Sequence, residues 1–403
     1  MNIKAITKKN VYIQNKLSEI RNKRSNDIIR KRIKECSEID SILNFDKFRD
    51  LIISWKKDPY FMDSVNEYKC VGSESLFYGQ LKALCDYSGV KYKGSNLLLP
   101  KLEHGLDFWE RRRGFLDDKC DFNYLFQGAY KVNDIHKENP YTPVYVIGPY
   151  VHYAKDYYTN EEFMELKQKL GKTLLVFPFH SYETRTLSYN SEILVNDIMD
   201  NYAKEFDTVM VSIYWNDVDS ELCELFRKKG AMLVSNGFRC DDNFIRRLKA
   251  IIQLSDVTLG NDLGSHIGYS IYLGKPHIFV SNHRCEVEKE DSDMSLTSHD
   301  DVIKKNNFEI AAKEFSFENY KNGLDGKNSL FYQKFWGGEK NIRTEKEIQA
   351  IFEVSERILR KSKGFRKNFD KAVISTMLYY KENQDLLHYN ILKDALGKMN
   401  KQK

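Results

Sequence analysis

The chain is poor in the features that would assign it quickly to a narrow structural class. Its seven cysteines (Cys36, Cys70, Cys85, Cys120, Cys223, Cys240 and Cys285) are odd in number and include no CxxC pair. That excludes a disulfide framework and the ligand spacing of a structural zinc site, and it suits a reducing cytoplasm. No window approaches the ~20 apolar residues of a membrane helix. The opening residues, MNIKAITKKNVYIQNK, contain no apolar core of signal-peptide length. Internal repeats and low-complexity tracts are also missing. Neither sign of charge dominates: 63 Lys and Arg against 58 Asp and Glu leave a formal charge of +5, which does not by itself imply a nucleic-acid partner. The basic residues do cluster, at Arg21 to Lys34, at Arg111-Arg112-Arg113 and from Arg357 to Lys371. Aromatic residues are not interleaved with them as an RNA-binding surface requires.

What the chain does have is apolar and aromatic material for sizeable cores. Its 403 residues are 41% hydrophobic and 13% aromatic, enough for two domains. Residues Asn10 to about Trp55 read as helix, with a second amphipathic pattern from Ile39 to Trp55. From Tyr68 a small α/β unit begins: a helix over Glu74 to Tyr87, strands at Asn96 to Leu99, Asn123 to Gln127 and Pro143 to Ile147, and a helix near Asn133 to Lys137. Residues Asp156 to Leu170 form a polar helical crossing. A stricter alternation follows, with strands Thr173 to Phe177, Thr208 to Tyr214, Met232 to Ser235, Val257 to Leu259 and His277 to Val280. Between them lie helices Ser191 to Glu205, Asp219 to Lys229, Asp242 to Leu254 and one opened by Ser265. Gly230 and Gly274 stand just past helix ends, as helix stops predict. Asn282 to about Ser329 is charged and weakly patterned, with room for a mobile loop within it. The aromatic run FYQKFWGG (331–338) precedes an amphipathic helix, Thr344 to Lys361, and a basic helical tail.

The expected organisation is therefore a helical segment (1–66), a small α/β domain (67–160), a doubly wound parallel domain (161–340) and C-terminal helices with a basic tail (341–403). In open parallel sheets ligands bind beyond the carboxyl ends of the strands. Those ends carry an unusual concentration of polar and aromatic groups: His180, Ser181, Tyr182 and Glu183; Tyr214, Trp215, Asn216 and Asp217; Asn236, Gly237 and Arg239; Asn261, Asp262, Gly264, Ser265 and His266. On the small domain, Glu103-His104-Gly105 and Gly148-Pro149-Tyr150 occupy the corresponding edge. The turn from Gly260 to Gly264 feeds a helix N-terminus, where free backbone N–H groups and the helix dipole suit a phosphate. A turn that binds nothing is the competing reading.

The segments GNDLGSHIGYSIYLGKP, FPFHSYET, SIYWNDVD, SNGFRCDDNF, KLEHGL, IGPYVHYA and FWGG together resemble the GT-B glycosyltransferases of bacterial capsule and O-antigen clusters. The likeness runs from about Glu74 to Leu359. It implies two facing Rossmann-like domains, a nucleotide-activated sugar as donor on the C-terminal domain, and a saccharide or lipid-linked saccharide acceptor on the N-terminal one. No cofactor and no metal ion are implied. The strand-turn-helix followed by LGKP is shared with sugar-nucleotide 2-epimerases. The Glu that often grips the donor ribose after that turn is lacking here, which leaves the donor's identity open.

On this reading His104 or Glu103 removes the acceptor hydroxyl's proton, an imidazole being suited to that work near neutral pH. His180 and the Gly264 to His266 turn stabilise the departing phosphate, and Ser181, Tyr214, Asn236, Gly237 and Asn261 complete the donor side. A turn histidine bonded to backbone competes with the catalytic role of His104, a structural turn role competes with the ligand role of His180, and helix capping competes with a ligand role for Ser265. Asp217 and Glu183 are candidates for sugar hydroxyls, and Arg239 and Lys275 for phosphate. Tyr214, Trp215 and Trp336 stand between stacking on a ligand and packing in the core. The function so expected is transfer of a sugar to a saccharide during bacterial surface-polysaccharide assembly. An epimerase or hydrolase of the same fold and a non-catalytic scaffold are the alternatives. The expected location is cytoplasmic, and the basic tail reads either as a solvated helix or as a contact for an anionic inner membrane.

Overall fold

Short aliphatic and β-branched runs between polar turns become strands in the computed structural model, and longer runs with apolar residues every three to four positions become helices. The structure describes residues 13, 17, 20–40, 42–67, 77–92, 100–103, 105, 106, 108, 123–181, 185–188, 190–281, 286–290, 298–363 and 365–397, with backbone alone at 185–188, 286–290, 298–302, 304 and 366. The N-terminal helices are α1 (Lys23–Ser37), α2 (Phe45–Lys56) and α3 (Phe61–Glu67). The helical reading up to Trp55 thus resolves into α1 and α2, the second lying within the amphipathic pattern from Ile39. After α4 (Gln80–Ser88) come β1 (Lys101–Leu102), β2 (Tyr124–Phe126), α5 (Val132–Glu138) and β3 (Val144–Val146), a three-stranded parallel sheet in the order β1-β2-β3. The expected strand Asn96 to Leu99 lies outside the described residues, and the paired residues follow Pro100 instead.

Helix α6 (Asn160–Leu170) opens with a reciprocal capping box: Thr159 Oγ1 accepts from the Glu162 N–H, and the Glu162 carboxylate accepts from the Thr159 N–H. It leads to β4 (Thr173–Phe177), β5 (Arg185–Ser188), α7 (Ser191–Asp197), β6 (Thr208–Ser212), α8 (Glu221–Lys228), β7 (Met232–Val234), α9 (Phe244–Leu254), β8 (Val257–Gly260), α10 (Ser265–Tyr272) and β9 (His277–Phe279). The main sheet is parallel throughout, in the order β7-β6-β4-β8-β9. Its strands are the alternating set read from the sequence. The chain runs outward from β4 to β6 and β7, then returns to the other side of β4 through β8 and β9, so the order reverses between β4 and β8.

Within the weakly patterned segment after Asn282, the described residues form regular structure. Strand β10 (Glu286–Glu290) pairs antiparallel with β5, and α11 (Ser298–Glu314) and α12 (Phe317–Lys321) follow. The aromatic run becomes α13 (Leu330–Trp336), with Phe331, Tyr332, Phe335 and Trp336 all buried. Helices α14 (Glu345–Ser362), α15 (Phe369–Glu382) and α16 (Leu386–Ala395) complete the chain. One apolar cluster extends from Ile29 of α1 through both sheets to Leu396 after α16, and a smaller one beneath the three-stranded sheet is built from Tyr124, Phe126, Ile135 and Val144. The architecture is a mixed α/β fold with three- and five-stranded parallel sheets. Among the described residues, no helix is long and apolar enough to cross a membrane.

Candidate functional site

Parallel pairing brings the carboxyl ends of all five main strands to one edge, and the reversal between β4 and β8 opens the place where an αβ sheet receives a ligand. At that point the Asn261 side chain, just past β8, accepts a hydrogen bond from the Phe179 N–H just past β4, at 2.7 Å. This bond fixes the two turns relative to each other. His180 stacks on Tyr214 from the end of β6, with ring centroids 4.2 Å apart, and its Nδ1 lies 2.9 Å from the Ser181 carbonyl oxygen. Asp217 holds the following residue: one carboxylate oxygen accepts from the Ser181 N–H at 2.9 Å, and the other accepts from the Ser181 hydroxyl. Asn216 donates to the same hydroxyl at 3.0 Å. Ser181 is therefore oriented by two residues from the next strand's end, and Asp217 is committed to that task.

At the end of β7, Asn236 is buried; its Nδ2 donates to Ser212 Oγ at 3.4 Å, whereas its Oδ1 has no hydrogen-bond partner. Gly237 has a φ of +95°, a left-handed conformation that a β-carbon would strain, and its N–H reaches Ser235 Oγ at 3.2 Å. Beyond β8, Gly264 occupies the N-cap of α10 in extended conformation, and no side chain caps the helix. Ser265 is therefore the first helical residue and not the cap, which removes the capping alternative for it. His266 folds back under the turn. Its ring stacks on Phe177 at 4.7 Å, and a β-carbon on either Gly260 or Gly264 would come within 2.7 Å of that ring. Its Nε2 is enclosed without a partner. Burial, with a smaller contribution from His180, lowers its pKa to about 3. The ring is accordingly neutral in the resting protein and does not act as a standing cation.

Other expected residues take structural positions. Trp215 and Trp336 are fully buried: Trp215 packs edge-on against Phe238 at 5.0 Å, and Trp336 stacks with Tyr332 at 6.2 Å. Both belong to the core and not to a ligand face. Arg239 donates to the Val65 carbonyl at 3.1 Å and lies over the Phe77 ring, tying the N-terminal helices to this edge. Burial lowers the pKa of Lys275, with the Asp256 carboxylate opposing that shift. His104, Tyr182 and Glu183 lie outside the described residues.

Glu103 follows β1 and is buried. Its carboxylate accepts from the Gln127 N–H at 3.2 Å and from the Tyr130 hydroxyl. Beside it the structure gathers groups that the sequence did not single out: Gln80 on α4, Gln127 at the end of β2 and Tyr269 on α10. The available signal for Gln127 was a polar residue closing an apolar strand immediately before Gly128. Tyr269 gave none, because an aromatic residue one turn into a helix reads equally well as packing. Among the described residues there is no group of three or more His, Cys, Asp or Glu arranged to hold a metal ion. The chain matches no protein-family model and no curated protein.

Proposed function

We propose that the chain is a glycosyltransferase with two facing Rossmann-like domains, moving a sugar from a nucleotide donor to a saccharide acceptor in bacterial surface-polysaccharide assembly. The observation that carries this reading is the reversal point of the main sheet. There the Asn261–Phe179 bond joins the ends of β4 and β8, and α10 presents a first turn that no side chain caps. Backbone amides in that position, together with the helix dipole, favour a phosphate group. His180, Ser181 and Tyr214 stand on the same edge, and Asn236 and Gly237 extend it.

The reaction forms a bond between the acceptor oxygen and the anomeric carbon of the donor. The anomeric carbon–oxygen bond to phosphate breaks, and its electron pair leaves with the phosphate oxygen. The acceptor's proton passes to a side chain, for which His104 is the candidate. Because the Glu103 carboxylate already accepts from Gln127 and Tyr130, its part in this scheme is to hold that edge in place. The amides of α10 stabilise the charge that develops on the leaving phosphate. The same proposal places the protein in the cytoplasm.

The test is to measure thermal stabilisation of the purified protein by a panel of UDP-, GDP- and CMP-sugars. At least one should raise the melting temperature, and product analysis with a saccharide acceptor should then show transfer. Absence of any response at millimolar ligand rejects the reading, and release of free sugar without transfer favours a hydrolase.

A further inference from the structure

Between the ends of β1 and β2 and the first turns of α10, four buried polar atoms have no hydrogen-bond partner: Gln80 Oε1, Gln127 Oε1, Gln127 Nε2 and the Tyr269 hydroxyl. Their residues are at most 3% exposed, and they come from three separate parts of the chain. Gln80, Ser265 and Gln127 each come close enough to the Tyr269 phenol to favour its ionised form, while burial and the Glu103 charge act more strongly in the other direction. None of the three meets hydrogen-bond geometry with it. The Glu103 charge also raises the pKa of Tyr150, after burial, so the carboxylate, two phenols and two amides share one enclosure.

Unpaired buried polar atoms are expensive, and folded proteins leave few of them. Leucine or methionine in these places would pack without that penalty. The composition also selects a ligand. Two amide oxygens and a carboxylate repel phosphate oxygens, so this cluster does not continue the phosphate site. A hydroxyl group donates and accepts at once, which matches a set of amide oxygens, an amide N–H₂ and a phenol. Position adds a constraint: Tyr269 is four residues beyond Ser265, about 6 Å along the helix axis. That distance suits one ligand with its phosphate at the first turn of α10 and its ring beside Tyr269.

We propose that Gln80, Gln127 and Tyr269, with Glu103 behind them, form a recognition site for the hydroxyl groups of the donor's sugar ring. This rests on the glycosyltransferase reading for the phosphate end of the ligand. The experiment titrates the whole protein calorimetrically with a sugar nucleotide that stabilises it, and in parallel with the corresponding nucleoside diphosphate or monophosphate that carries no sugar. Tyr269→Phe and Gln127→Met are near-isosteric and are compared with the unaltered chain. The sugar nucleotide should lose about 10-fold in affinity in each variant, while the sugar-free nucleotide binds unchanged. Urea unfolding should show both variants as stable as the parent or more so, since each removes an unpaired buried atom. Equal loss for the two ligands, no loss for either, or a destabilised Tyr269→Phe would overturn the proposal and assign the cluster to packing. If no nucleotide of the panel binds, the glycosyltransferase reading fails by itself. The cluster is then tested by chemical-shift perturbation with free glucose, galactose and N-acetylglucosamine. Binding that Tyr269→Phe abolishes would support the hydroxyl site, and no binding would refute it.

Discussion

Single residues set the shape of the reversal point, and Gly268 shows how tightly. A β-carbon there would lie 2.1 Å from the Trp336 ring, which is itself fully enclosed by Phe331, Phe335 and Tyr332. Gly268→Ala should therefore destabilise the fold by about 1–3 kcal/mol through overpacking, measured as a shift of the urea midpoint; an unchanged midpoint would mean that α13 moves freely. The two histidines of this region make a separate prediction. Burial lowers the pKa of His266 to about 3 and that of His277 well below the usual 6.5, each followed by a neighbouring histidine as the second cause. Below about pH 6.5 the unfolded chain takes up protons that the native state does not, so stability is retained above that pH and lost beneath it. Each histidine contributes a slope of about 1.4 kcal/mol per pH unit in that window. Between pH 6.5 and 5 the urea midpoint should fall, and His277→Gln should flatten the fall; parallel profiles would contradict the assignment. At this scale the sequence revealed positions better than roles. It placed His180, Ser181, Asn261 and Gly264 beyond the carboxyl ends of the main sheet's strands, where the structure has them, because strand ends follow from periodicity. It could not show that Asp217 serves Ser181 or that His266 turns inward, since both depend on contacts across separate strands.

At the scale of elements, the alternating strands of the main sheet were legible because each is a short apolar run closed by a polar or glycine turn. The β5–β10 pair was not, because its partners are about a hundred residues apart and flanked by charged segments, and nothing local encodes such a pairing. The same limit applied to the N-terminal helices, whose attachment to the rest of the chain is not encoded locally. In the structure they are bound to the main sheet's flank through a buried ion pair. Arg247 Nη1 donates to Asp241 at 2.5 Å with both side chains fully buried, and Nη2 donates to the Ile39 carbonyl at 2.8 Å, where α1 gives way to α2. Trp55 and Phe61 then close over Phe238 at 5.7 and 6.0 Å. Arg247→Met should cost about 3–5 kcal/mol, because it leaves the Asp241 carboxylate buried without its counter-charge. Pairing it with Asp241→Leu should restore much of the loss. A single variant as stable as the parent in urea would show that the pair does not hold these helices.

For the whole molecule, the question is what the C-terminal helices do. Their basic residues suggested a surface for an anionic membrane, but several are engaged within the protein: Arg357 lies 3.3 Å from the centre of the Tyr379 ring, Arg360 pairs with Glu356, and Lys361 donates to Ser375 Oγ at 3.0 Å. The chain returns to the small sheet before α14 begins. Arg343 donates from its backbone N–H to the Tyr153 hydroxyl at 3.0 Å and from Nε to the Val146 carbonyl at 3.3 Å. Asn123, at the start of β2, donates to Ser355 of α14 at 2.7 Å, in a fully buried contact. The small sheet has three strands of two or three residues, too little to stand without cover, and α14 to α16 supply that cover from the far end of the sequence. Deleting everything from Thr344 onward should therefore remove native tertiary structure around β1 to β3. The expected signs are loss of near-UV circular dichroism, binding of a hydrophobic dye and aggregation, with far-UV signal partly retained. A tail serving only as a membrane contact would leave the truncated protein with the parent's near-UV spectrum and melting temperature, and would instead abolish its co-sedimentation with anionic vesicles. The buried Asn123–Ser355 bond and the apolar face of α14 require the first outcome, because a detached surface element has neither.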